Sequence, residues 1–411
     1  MERKLGVWII GACGSVATCA VAGAEALKAG VIPTSGLVTE LSDFKDLDLV
    51  RFDQMVFGGH EIRKVDWVAA AEEFGRDNGV ITPQILEAVR PALQKHSKNL
   101  RPGVTLNSGA GVASIMTEAP DAAERKSSLR GMVDQIKKDY AEFKANHGLD
   151  QVVVVHLTSA EPHFAPPREF HYVESFLALL EADRRDLFPA SVLYALAAVE
   201  SGCPYVNFTT CIGSSFPAMD ELARRHGVPH VGRDGKTGET LMKTTLAPMF
   251  VARNLRVLSW EGYNMLGNRD GKVLDAPDAN AAKCKDKDAC LRDILGDDET
   301  HTRVRIDYVP SLGDWKTAWD FIHFTGFLGT KMILQFIWQG CDSALASPLV
   351  LDLIRMADFA HRSNESGNLR HLACFFKAPY EAEEHGFFRQ NEKLLEYVAA
   401  HRKARVGTAA R

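Results

Sequence analysis

The first strong signal along the chain is a short apolar run at residues 5–10. It stops at Gly11-Ala12-Cys13-Gly14 and gives way to a helical period over 16–29, closed by Gly30. A second strand is expected at 36–39. Another is expected at 104–106, before the small-residue loop Asn107-Ser108-Gly109-Ala110-Gly111. Residues 121–147 are charged and helical in period. Residues 151–157, with their VVVVHL core, have the unbroken apolar character of a strand buried on both faces. A helix over 191–201 and a strand over 205–208 follow. Strands alternating with helices predict an α/β fold with a mostly parallel, doubly wound sheet.

The pattern changes near Asp234. From there it reads as a helix over about 239–252, a strand over 256–260 and a turn-rich stretch over 263–271. A lysine-rich segment, an extended segment at 303–310 and two or three apolar helices come next, then a charged helical tail over 391–411. This is the pattern of a second, α+β domain. The expected division is a Rossmann-type dinucleotide-binding domain over 1–240, a catalytic and oligomerisation domain over 241–360, and a C-terminal segment over 361–411 returning to the first domain.

Composition narrows the partners without naming them. The chain has 411 residues, 46% hydrophobic and 25% charged, with a net charge of −5. That balance argues against nucleic acid or an anionic membrane held by bulk electrostatics, and leaves room for a local basic pocket. The eight cysteines are scattered with no CxxC pair, as expected for reduced thiols in a cytoplasmic protein. The N-terminal apolar run is needed by the glycine turn, so it does not read as a signal peptide. Lys331 interrupts the best membrane-span candidate, near 327–338, so no membrane partner is expected.

Four groups of residues carry chemistry. In Gly11-Ala12-Cys13-Gly14-Ser15-Val16-Ala17, Gly11 permits the tight turn and Gly14 lets the backbone approach a pyrophosphate at a helix N-terminus. The spacing departs from a strict GxGxxG, and an ordinary glycine turn is the competing reading. Glu40 reads equally as a ribose partner, favouring NAD over NADP, and as a solvated strand-end acid. The loops Thr158-Ser159-Ala160-Glu161 and Asn207-Phe208-Thr209-Thr210 follow expected strands, where open α/β sheets bind ligands. The stretches from Asp234 to Thr240 and from Tyr263 to Gly271 are dense in polar turn residues, and alone they are no more than turns.

The fourth group is lysines. Lys283 and Lys287 are spaced to share a helix face. Lys316 lies in Gly313-Asp314-Trp315-Lys316, and Lys377 sits between Phe376 and Ala378-Pro379. A lysine among Phe and Pro residues either snorkels or is used.

Taken together and in this order, these residues resemble the myo-inositol-1-phosphate synthase family, in its compact prokaryotic form. The segments that carry the resemblance are DGKTGETLMKTTLAPMF from Asp234, SWEGYNMLGNRDGKVL from Ser259, SLGDWKTAWDF from Ser311 and FFKAPY from Phe375. The lysine-rich helix departs most from the family pattern: Asn280 and its alanine neighbours stand where charges are usual, and Lys285 adjoins the pair.

The resemblance implies a redox-neutral isomerase that turns D-glucose 6-phosphate into an inositol monophosphate. NAD oxidises C5, the ketone acidifies C6, an enolate closes on C1, and the hydride returns. The family's active-site lysines fall on Lys283, Lys287, Lys316 and Lys377. Its cofactor-binding residues fall on Gly11, Ala12, Gly14, Ser15, Val16, Thr158, Ala160, Asp234 and Asp342. Its substrate residues fall on Asn264, Leu266 and Asp270. A divalent or monovalent cation would be held by Asp270 and Asp342, and the assembly would be a homotetramer.

The chemistry suits lysines. A neutral amine can take the C5 hydroxyl proton, a role given to Lys283. A fixed ammonium stabilises an oxyanion once water is excluded, a role given to Lys377, while Lys287 and Lys316 serve the phosphate or the aldol step. Competing readings are a family member acting on another hexose phosphate, a net NAD-dependent sugar-phosphate dehydrogenase, and a non-catalytic NAD-binding regulator.

Overall fold

The structure, a computed structural model, describes residues 3–117, 126–274, 291–297 and 299–409. Its larger sheet has seven parallel strands in the order β11-β6-β5-β4-β1-β2-β3. These are β1 (Leu5–Ile10), β2 (Met55–Glu61), β3 (Leu100–Pro102), β4 (Gln151–His156), β5 (Tyr205–Asn207), β6 (Pro229–Gly232) and β11 (Gly367–Asn368). The run 3-2-1-4-5-6 within it is the doubly wound order, whose direction reverses between β1 and β4.

β1 and β4 are buried along their whole length because both faces are covered. Val7, Ile9, Val153 and Val155 point into one core, shared with helices Ser15–Lys28 and Asp342–Arg362. Trp8, Ile10, Val152 and Val154 point into the other, shared with helices Leu129–His147 and Ala190–Glu200. Gly59 in β2 has no room for a side chain, since a Cβ there would overlap the Ile9 carbonyl.

The second sheet has four strands in the order β10-β9-β7-β8: β7 (Arg256–Leu266), β8 (His301–Tyr308), β9 (Trp315–Thr325) and β10 (Lys331–Cys341). β9 runs antiparallel to both neighbours, and β7 pairs parallel with β8. On the inner face Trp260, Val257 and Ile322 pack with Ala247 and Phe250 of helix Gly238–Ala252. On the outer face Tyr263 lies across from Trp319, and Trp319 across from Ile337.

Several expectations fail, each for a physical reason. The strand expected at 36–39 is instead a 3-10 turn, Val38–Glu40, and the second strand of the sheet is Met55–Glu61. The Asp352 carboxylate takes the Val38 and Thr39 N–H groups at 2.8 and 3.0 Å, so these donors are not offered to a ladder. Burial pushes that carboxyl up to about 6. The strand expected at 104–106 is also absent. The Val104 N–H goes to the Tyr194 hydroxyl at 2.6 Å, and the Leu106 carbonyl takes the Ala190 N–H.

The stretch read as turns from Tyr263 is strand as far as Leu266, with alternate residues buried along it. Of the apolar helices expected after 310, only Asp342–Arg362 is one before residue 363. The apolar residues ahead of it belong to β9 and β10, which place them on both sheet faces. Among the described residues no helix is long and apolar enough to cross a membrane.

Candidate active site

A deep crevice opens where the strand order reverses, at the carboxyl ends of β1 and β4. Gly11 turns the chain at φ +80°, and a Cβ on it would lie 3.0 Å from the Leu157 carbonyl. Gly14 caps helix Ser15–Lys28 without a side chain, and Gly14, Ser15 and Val16 line the crevice. A glycine cap at a helix N-terminus suits an approaching anion, because first-turn N–H groups and the helix dipole both favour one. These features fit a dinucleotide pyrophosphate.

The turn is braced from β2. The His60 carbonyl takes the Gly11 and Ala12 N–H groups, each at 3.0 Å. Glu61, the last residue of β2, accepts the Cys13 N–H at 2.7 Å on one oxygen. Its other oxygen accepts from the Ile62 and Arg63 N–H groups and the Arg63 Nε, at 2.9, 3.1 and 3.3 Å. Arg63 also donates to the Cys13 carbonyl at 2.6 Å.

The opposite wall is the loop after β4, where Thr158, Ala160 and Glu161 line the crevice. His156 lies beneath it, with Nε2 2.9 Å from the Thr158 hydroxyl and Nδ1 3.0 Å from the Tyr205 hydroxyl. Burial pushes this imidazole down to about 3, so it is neutral at physiological pH. The Glu161 carboxylate accepts the Ser191 N–H at 2.8 Å and the Ser191 hydroxyl at 2.5 Å. Burial outweighs those bonds and pushes the Glu161 carboxyl up to about 7.

At the far end the crevice meets the polar motifs. Asp234 sits at φ +62° after β6, and its N–H donates to the Thr209 carbonyl at 2.8 Å. The Lys377 N–H donates to the Asp234 carbonyl at 2.6 Å, and Lys377 Nζ reaches Asp234 Oδ1 at 3.0 Å. Both residues are buried, at 8% and 5% exposure, and both line the crevice. Next to them the Thr237 hydroxyl donates to Asp342 Oδ1 at 3.2 Å, and Lys316 Nζ stands 3.8 Å from Asp342 Oδ2.

The residues singled out from sequence divide accordingly. Gly11, Gly14, Ser15, Val16, Thr158, Ala160, Asp234, Asp342 and Lys377 all line the one crevice. Lys316 joins it through Asp342. Ala12 lies behind the turn, its carbonyl taking the Trp67 indole N–H at 2.5 Å. Asn264 and Leu266 are buried on the inner face of β7, outside the crevice lining. Asp270 falls in helix Arg269–Leu274, and its side chain lies outside the described residues, as do Lys283 and Lys287. Glu40 pairs with Arg355 at 2.6 Å and takes no part in the crevice. Among the described residues no group of three His, Cys, Asp or Glu side chains could hold a metal, and Asp342 already has Lys316 beside it.

Sequence reasoning missed Glu61, Arg63, Asn268 and Ser343, which also line the crevice. Glu61 had a usable signal. It ends the apolar stretch from Met55, and an acid at the end of the second strand is where a doubly wound sheet meets a ribose. With the second strand expected at 36–39, Glu40 is the acid that takes this place in the sequence.

The model of the NAD-binding family described as myo-inositol-1-phosphate synthase matches residues 5–398. The chain belongs to the myo-inositol-1-phosphate synthase family. It is 32% identical over 407 residues to inositol-3-phosphate synthase 1 of Bacteroides thetaiotaomicron, covering 93% of this chain and 91% of that one. Its fold is similar to that of inositol-3-phosphate synthase from Caenorhabditis elegans, with a TM-score of 0.85 at 23% identity over 98% of this chain and 86% of that one. It is also similar to a myo-inositol-1-phosphate synthase-related protein from Thermotoga maritima, with a TM-score of 0.79 at 24% identity over 97% and 99%. In family terms, the crevice joins a dinucleotide turn at one end to buried and half-buried lysines at the other. That arrangement can hold a redox cofactor against an anionic, oxyanion-forming substrate.

Proposed function

We propose that this chain catalyses the redox-neutral, NAD-dependent cyclisation of D-glucose 6-phosphate to a myo-inositol monophosphate. The observation that carries the reading is Lys377: a buried lysine, paired with Asp234, in the same crevice as the Gly11–Gly14 turn. Bound NAD supplies a hydride acceptor for C5 and returns the same hydride, so no net redox change remains. A net dehydrogenase would use the turn and leave the lysines without work.

The chain's own residues supply the rest. Asp234 holds the Lys377 ammonium by a charge-assisted bond, fixing a cation where an enolate or aldol alkoxide gathers charge. Lys316, its side chain 12% exposed, faces Asp342 and serves the substrate phosphate or the aldol oxygen. Lys283 is assigned the C5 hydroxyl proton and Lys287 the phosphate or aldol step, on sequence grounds alone. Glu61 is assigned the adenosine ribose, in place of Glu40. Residues 1–240, 241–360 and 361–411 are assigned as the dinucleotide-binding unit, the catalytic and assembly unit and the returning C-terminal segment, although helix Asp342–Arg362 packs back on the first sheet. We further assign the protein to the cytoplasm, to inositol phospholipid supply and to a homotetramer built on the second sheet. Exposed Ile333 and Ile337 on β10 support that last assignment.

The test is product identification by phosphorus and carbon NMR from labelled glucose 6-phosphate with catalytic NAD. The expected result is a cyclic inositol phosphate with no build-up of NADH absorbance. Stoichiometric NADH would instead make the protein a sugar-phosphate dehydrogenase.

A further inference from the structure

Two residues before Lys316 stands Asp314, which is 2% exposed and outside the crevice lining. Its Oδ1 accepts from Asn268 Nδ2 at 2.8 Å and from the Ser343 hydroxyl at 2.9 Å. Its Oδ2 accepts from the Ser343 N–H at 2.7 Å and from the Cys341 thiol at 3.0 Å. A carboxylate has about four lone-pair sites, and here four donors meet them. The Asp314 carbonyl takes the N–H groups of Asp342 and Lys316, each at 3.0 Å, and its own N–H donates to Asn78 Oδ1 at 2.8 Å.

One residue therefore joins four pieces of the molecule. Asn78 ends helix Trp67–Asn78 on the dinucleotide side, and Asn268 begins the loop after β7 and lines the crevice. Lys316 opens β9, and Asp342 and Ser343 open the 21-residue helix Asp342–Arg362. That helix has Cys341 as its cap residue, with no side-chain cap bond of its own. Asp314 provides the cap from the turn before β9, satisfying a first-turn N–H and complementing the helix dipole.

We infer that Asp314 is the positioning residue of the active site, fixing Lys316 and Asp342 relative to one another without touching substrate. The inference rests on the assignment of Lys316 to catalysis, because what Asp314 holds still is the Lys316–Asp342 pair. A rigid acceptor with four donors suits this task better than a loop would, since misplacement by about 1 Å can cost about a hundredfold in rate.

Asp314→Asn tests it, because the amide keeps the shape but can face only half of the four donors with an acceptor. Turnover of glucose 6-phosphate should fall about 30- to 100-fold, while NAD affinity, read by fluorescence titration, stays within about threefold. In an Asp342→Asn background the same change should cost less than about threefold more, because residues acting as a unit are not additive. Fully multiplicative losses, or normal kcat in a protein with only a lowered Tm, would overturn the inference.

If Asp314→Asn does not fold, Ser343→Ala removes one donor and should lower kcat about three- to tenfold, by analogy with the loss of one supporting hydrogen bond. An unchanged kcat there would count equally against it. A crystal structure of the folded variant separates this inference from the assigned reaction. If wild-type protein shows no cyclisation, an unmoved Lys316–Asp342 pair in that structure still refutes the role of Asp314, and a displaced pair supports it.

Discussion

The two sheets use the same apolar residues in opposite ways. In the parallel sheet β1 and β4 bury every side chain, half into each of two cores, and helices cover both faces. Among the described residues only the inner face of the second sheet is covered, by helix Gly238–Ala252 with Leu291, Ile294 and Leu295. The outer face presents Ile333 at 56% and Ile337 at 70% exposure beside Tyr263, Trp319 and Phe321. The first arrangement is a finished core. The second leaves apolar residues grouped on one exposed face, the feature on which the proposed assembly rests. The crevice lies between them, with its turn on the first sheet and Lys316 on the second.

The largest expected effect tests where the chemistry sits. Lys377→Met removes the cation that faces Asp234 across 3.0 Å. Turnover should fall about a thousandfold, the scale of losing one preorganised charge at a developing oxyanion. NAD affinity should stay within about threefold, since the turn lies at the other end of the crevice. Steady-state kinetics and NAD titration on the same preparation decide it. Turnover within about tenfold of wild type would place the chemistry elsewhere.

Gly14→Val probes the other end. Gly14 has an ordinary helical-entry backbone, φ −64°, so the substitution adds bulk without backbone strain. A Cβ there sits 3.2 Å from the Gly11 carbonyl, and the valine methyls would occupy the path of a pyrophosphate. NAD binding should weaken about 100-fold, or about 2.7 kcal/mol, with little change in Tm. Unchanged NAD binding would move the dinucleotide away from this turn.

The difference between the sheets also explains what the sequence could reveal. β1 and β4 were legible because strands covered on both faces need unbroken apolar runs, and Leu5–Ile10 and Gln151–His156 are such runs. β10, Lys331–Cys341, reads differently: its outward row mixes Ile333 and Ile337 with Gln335 and Gln339, which blurs the polar alternation of a half-buried strand. Its pattern could not be told from a buried helix. Val38 and Thr39 were strand-like in composition, but the acceptor for their N–H groups comes from Asp352, 313 residues away along the chain for Thr39. The site divides in the same way. Gly11, Gly14 and Lys377 announce themselves locally, whereas Asp314 and Ser343 acquire meaning only when β9 meets the start of helix Asp342–Arg362.

Ile337→Lys tests whether the outer face is covered in solution. Ile337 pairs across β9 with Trp319, in the row that continues to Tyr263. Burying an unpaired ammonium in such a row costs several kcal/mol, about 3–5 by analogy with a broken buried pair. If the proposed homotetramer is built on this face, it should fall to smaller species by light scattering, while Tm of the individual subunit changes little. A variant that stays tetrameric would place the assembly surface elsewhere and leave these exposed residues unexplained.

The smallest effect is one of pH and lies wholly in the first region. Glu161 is raised to about 7 and Asp352 to about 6, in both cases chiefly by burial. A carboxyl raised in the folded state keeps a proton that the unfolded chain has already lost. Each group therefore contributes stability at low pH that is lost as pH rises from the ordinary carboxylate range through its folded value. This is opposite in sign to the contribution of a salt-bridged acid such as Glu200, which Lys137 and Arg130 hold below its usual value. Tm measured from pH 4.5 to 8 should carry a downward component that ends near 7 for Glu161 and near 6 for Asp352. Glu161→Gln keeps an acceptor for the Ser191 N–H and has no proton to lose, so it should abolish the slope between about 6 and about 7 and weaken it below. Asp352→Asn should weaken only the part below about 6 and leave the upper part intact. If neither variant changes the slope, the two carboxyls are ionised in the folded protein and the burial argument for them fails.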